Sequence, residues 1–78
     1  MTRYKRTTLE SAKRMLSGAI DYILEVIKTD ENEWDKMPTF VQTSTQVGED
    51  LSDELYSLNK LDEALQEQLK VIDELLDK

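Results

Sequence analysis

The sequence predicts an all-α protein on three observations: apolar residues recurring at three- and four-residue spacings along most of the chain, a Thr-x-x-Glu helix-start signal, and only two glycines and one proline in 78 residues. The expected architecture is an antiparallel helical hairpin or a three-helix bundle, with a long heptad-bearing C-terminal helix that dimerises.

Thr7-Thr8-Leu9-Glu10 reads as a capping box and starts the first helix, about residues 7–29. Leu9, Ala12, Leu16, Ala19, Ile23 and Val26 or Ile27 form its apolar stripe. Met15, Ile20 and Tyr22 widen that stripe to well over a third of the circumference, a face wide enough to require burial. Residues 1–6 precede the signal and read as a flexible basic arm before a single helical domain over 7–78.

The acidic run 29–35 reads as a connection, and Pro38 suits the first turn of a second helix, about 38–48, with Thr39 and Gln42 spaced as a further capping box. Gly48 predicts a kink or break near Gly48 to Asp50, after which Asp50 or Ser52 recaps a helix over 50–77, possible also as a continuation of the one before. In that last segment Leu51, Leu58, Leu61, Leu65, Ile72 and Leu75 fit a and d positions, with Glu54 and Gln68 polar in the seam and Leu55, Leu69 and Leu76 beside it.

Two arrangements follow. A turn near 57–60 gives three helices of similar length, but without a Gly or Pro to make it. An uninterrupted helix is the preferred reading. It overhangs a first helix of 7–29 and buries its leucines by pairing with another chain, which makes a homodimer the expected consequence.

A chain this short holds one small core, so self-association is a natural route to stability. With neither Cys nor His, it lacks disulfides, thiolate nucleophiles, the usual zinc ligand sets and the commonest neutral-pH base. No apolar run spans a bilayer and no signal-peptide core follows the basic start, so no membrane role is expected and a cytoplasmic location is. The carboxylates lack a calcium-loop pattern and fall on outer helix faces, where nothing separates their pKa values for acid–base work. No catalytic, cofactor or metal site is expected.

The net charge of −7 is unevenly spread. Arg3, Lys5, Arg6, Lys13 and Arg14 stand against Glu10 alone in residues 1–14, and the remainder carries sixteen carboxylates against five lysines. The basic head gives candidate phosphate contacts, but the acidic body repels a nucleic-acid backbone and argues against that partner. Asp30, Glu31, Glu33, Asp35, Glu49, Asp50, Asp53 and Glu54 form a candidate nucleic-acid-mimicking surface, the bland reading being solvated helix. Trp34 is a candidate interface anchor, or else folds back over Met37 and Phe40.

The functional expectation is a non-enzymatic protein–protein interaction module, a small adaptor, chaperone or inhibitor, of a size that suits a phage or mobile element. Its candidate self-association or partner-binding residues are Leu51, Leu55, Leu58, Leu61, Leu65, Ile72 and Leu75. The alternatives are an acidic mimic that blocks a DNA- or RNA-binding protein, and nucleic-acid binding through the basic N-terminus.

Overall fold

The computed structural model describes residues 1–78 and contains three helices: α1 Arg3–Lys36, α2 Thr39–Ser44 and α3 Gln46–Leu76. α1 and α3 pack antiparallel as a hairpin, and α2 is a single turn and a half between them.

α1 starts earlier than the Thr7 signal implies. Thr2 is the N-cap, its hydroxyl accepting from the Lys5 amide at 3.2 Å. Residues 3–6 are therefore the first helical turn, and Arg6 donates to the Leu76 carbonyl at 2.7 Å, tying that turn to the end of α3. Thr7 lies inside the helix, its carbonyl accepting from Ser11 Oγ.

α1 also ends later, with the acidic run 29–35 helical rather than a connection. Ile27, Asp30, Trp34 and Met37 continue the packing phase. Only Pro38 interrupts it, by forcing the preceding residue out of the helical region: Met37 is extended, at φ −74° and ψ 135°.

Around α2 the capping differs from the sequence reading. Pro38 is the N-cap and offers no side chain, while Gln42 Nε2 donates to the Trp34 carbonyl at 2.6 Å instead of closing a capping box with Thr39. The break comes at Thr45, not at Gly48 to Asp50. The extended Thr45 caps α3 by accepting from the Gly48 amide, and its hydroxyl donates to the Val41 carbonyl at 2.6 Å.

Gly48 is buried in the first turn of α3, where a Cβ would meet the Val41 carbonyl oxygen and lie 2.6 Å from that of Gln42. The glycine permits close approach of two backbones rather than making a kink.

α3 runs unbroken through 57–60, which selects the long-helix arrangement. α1 has 34 residues and α3 has 31, so at 1.5 Å per residue they are about 51 and 46 Å long. The overhang inferred from a first helix of 7–29 is therefore absent. The molecule is a rod of 58 × 15 × 14 Å.

Burial follows two heptad seams. On α1 the shielded positions along the inner face are 6, 9, 13, 16, 20, 23, 27, 30 and 34, and on α3 they are 48, 51, 55, 58, 62, 65, 69, 72 and 76. The α3 seam shares Leu51, Leu58, Leu65 and Ile72 with the expected one but completes it with Leu55, Asp62, Leu69 and Leu76, leaving Leu61 and Leu75 outside. The observed set carries three leucines where the expected set has two among Glu54, Leu61, Gln68 and Leu75, so this rotation buries more apolar surface.

Two helices shield only a strip of each other. The buried apolar side chains are only Ile20 and Ile27, each 5% exposed, and Leu51 at 7%.

Candidate interaction face

When antiparallel helices pack through a and d positions, the g positions flanking d on both helices turn to the same side of the pair, and the c positions lie just beyond them. On that side α1 presents Ala12, Met15, Ala19, Tyr22 and Val26. α3 presents Leu61, Ala64, Gln68, Val71 and Leu75. All ten are exposed, Met15 at 78%, Tyr22 at 73% and Leu61 at 46%.

The opposite side, built from e and b positions, carries Glu10, Arg14, Asp21 and Lys28 of α1 and Asn59, Glu63, Gln66 and Lys70 of α3, with Leu24 and Tyr56 its apolar exceptions. The hairpin as a whole is therefore amphipathic: a core strip inside, one apolar side and one polar side.

The sequence signal for this face was the excessive width of the first stripe. A single partner helix covers only part of such a width, so Met15, Tyr22 and Val26 remain uncovered although the stripe implies burial. Of the expected binding leucines, Leu51, Leu55, Leu58, Leu65 and Ile72 lie in the seam against α1, whereas Leu61 and Leu75 belong to the exposed face.

The hairpin also gathers both acidic runs at its turn end. Asp30, Glu31, Glu33 and Asp35 close α1, and Glu49, Asp50, Asp53 and Glu54 open α3. Lys28 and Lys36 are the only cations between residues 28 and 54. Asp30 occupies a seam position, is 6% exposed, and leaves its Oδ2 without a partner. Hydrogen bonding to Asp30, then its charge, raises the Glu54 carboxyl above the ordinary range, with desolvation and Glu33 adding to the effect. Glu33 and Glu54 are both g positions, which places the two together on the apolar side, at its turn end.

At the other end the basic residues are partly engaged within the chain. Lys13 Nζ bridges Asp73 Oδ1 at 2.6 Å, and this hydrogen bond raises the Lys13 pKa. Arg6 holds the end of α3, and Arg14 donates to Ser11 Oγ. Arg3 and Lys5 are exposed.

Trp34 is half-buried at a seam position and borders an open, polar depression beside Gln42, Thr45, Glu49 and Ser52. No group of Asp or Glu side chains converges as a metal site, and no helix is long and apolar enough to cross a membrane. Comparison with protein-family models, curated proteins and solved structures finds no match to this chain.

Proposed function

We propose that this protein is a non-enzymatic interaction module, acting as an adaptor, chaperone or inhibitor, that binds protein through the apolar side of its hairpin. The observation that carries the reading is the alignment of Met15, Tyr22 and Val26 with Leu61, Val71 and Leu75 on one exposed side. Small proteins seldom leave a contiguous apolar face of this extent uncovered unless something docks on it.

The test separates face from seam. Tyr22→Asp and Leu61→Asp put charge on the exposed face, so they should retain helicity by circular dichroism while weakening association at least tenfold. Leu65→Asp puts the same charge into the seam and should unfold the hairpin. Association undiminished in both face variants would reject the proposal.

A second reading, an acidic mimic of nucleic acid, is favoured by the eight carboxylates that the hairpin collects at one end. It expects Asp50→Lys, Asp53→Lys and Glu54→Lys together to abolish capture of a nucleic-acid-binding protein with the fold intact. Binding that ignores both these changes and added salt would dispose of it.

A further inference from the structure

Resting on the interaction reading, we infer that the occupant of the apolar side is a second copy of this chain, related by a two-fold axis running across the rod through Ala19 and Gln68, so that two hairpins form a four-helix bundle.

The face is arranged symmetrically about those two residues. On α1, Ala12 and Val26 lie seven residues to either side of Ala19, with Met15 and Tyr22 four and three away. On α3, Leu61 and Leu75 lie seven residues to either side of Gln68, with Ala64 and Val71 four and three away.

The two centres also sit close to each other across the hairpin. The Lys13–Asp73 bridge and the Asp30–Glu54 approach set the antiparallel register, which places position 19 across from 65–67, one to three residues from Gln68. A crosswise two-fold therefore lays α1 on α1 and α3 on α3 of the partner, both antiparallel. Small residues then meet larger ones, Ala12 with Val26 and Ala64 with Val71. Gln68 meets its own copy at the axis, where a side-chain amide can donate to and accept from its twin. A lone polar residue in an otherwise apolar seam is also a device that fixes alignment.

Charge selects this axis over the lengthwise alternative. Fourteen residues to either side of Ala19, on the same side of α1, stand Lys5 and Glu33. The crosswise axis puts each Lys5 against the other chain's Glu33. A lengthwise axis would instead lay the acidic turn ends on each other, Glu33 over Glu54, adding to the repulsion already centred on Glu54. The area is at the small end of specific interfaces: the axis pairs α1 along its length but α3 only over 60–76, so a face 15 Å wide overlaps by on the order of 600 Å² per chain.

The cysteine-free chain allows single-thiol tests. Sedimentation equilibrium of the unmodified protein should give twice the chain mass. Adjacent helix axes in a bundle lie about 8–10 Å apart, so Ala19→Cys should join to its own copy through a short bis-maleimide with helicity unchanged. Lys5→Cys should join only to Glu33→Cys when the two are mixed.

Glu33→Lys should weaken the dimer several-fold at low salt, and Lys5→Glu in the same chain should restore it. Cross-linking of Ala19→Cys to Gln68→Cys, without self-linking of either, would establish the lengthwise axis and overturn the inference. A monomer at every concentration would overturn it too, yet spare the interaction reading if a partner still required Tyr22 and Leu61. A dimer indifferent to Tyr22→Asp and Leu61→Asp would sink both.

Discussion

Asp30 offers a direct measure of what the hairpin gives up at its acidic end. It occupies a seam position facing the α3 leucines, is 6% exposed, and has one carboxylate oxygen without a partner. A buried polar group left unsatisfied costs about 1–3 kcal/mol, and a leucine there would convert that cost into apolar burial. Asp30→Leu should therefore stabilise the fold by about 2 kcal/mol, which at ~4–8 °C per kcal/mol for a chain of this size raises Tm by roughly 10 °C.

The assay is thermal unfolding by circular dichroism at one fixed chain concentration, because any assembly makes Tm concentration-dependent. It should be run at pH 7 and again near pH 5. Glu54 has a raised folded-state pKa, so its protonated form is favoured in the fold: its contribution to stability is fully present below the unfolded pKa and is lost as pH rises through the folded one. The parent should thus gain stability on mild acidification. The variant should gain less, since Asp30 is the leading cause of the Glu54 shift. An unchanged or lower Tm at pH 7, or an equal gain on acidification in both proteins, would refute the reasoning.

Glycine substitutions should separate the two glycines. Gly18→Ala places a Cβ in open space within a helix and should raise stability by about 0.5–1 kcal/mol in urea titration, whereas Gly48→Ala drives a Cβ into the α2 backbone and should lower it by about 1–3 kcal/mol despite better helix propensity. Lys13 has a raised folded-state pKa, so the contribution of its bridge to Asp73 persists below 10.5 and disappears as pH climbs through the higher folded value; Lys13→Met should erase that part of the alkaline loss seen in a Tm-versus-pH profile. Thr45→Val keeps shape but removes both capping hydrogen bonds, and should cost about 1–2 kcal/mol by chemical denaturation.

Helix type and the d positions of the long C-terminal helix were legible because periodicity is a local property: Leu51, Leu58, Leu65 and Ile72 are apolar in any register that packs this segment. The companion row was not. Leu55, Asp62, Leu69 and Leu76 compete with Glu54, Leu61, Gln68 and Leu75 by a rotation of one residue, each row containing polar members. Which row turns inward depends on α1, and local spacing does not contain that information. Helix ends failed for a related reason. The Thr7–Glu10 signal has a valid pattern, yet Thr2 caps the helix because Arg6 finds the end of α3, a partner seventy residues away.

The sequence by itself determined an all-helical chain and an apolar surplus wider than one helix face requires, and it favoured a long last helix over a turn near 57–60, all consequences of residue spacing and of the scarcity of breakers. Tertiary structure alone decided that α1 and α3 match in length and that both acidic runs meet at one end. It also decided that the surplus from two helices falls on a single side of the rod. Antiparallel packing makes that choice, because it brings the same flank of each heptad to the same side of the pair.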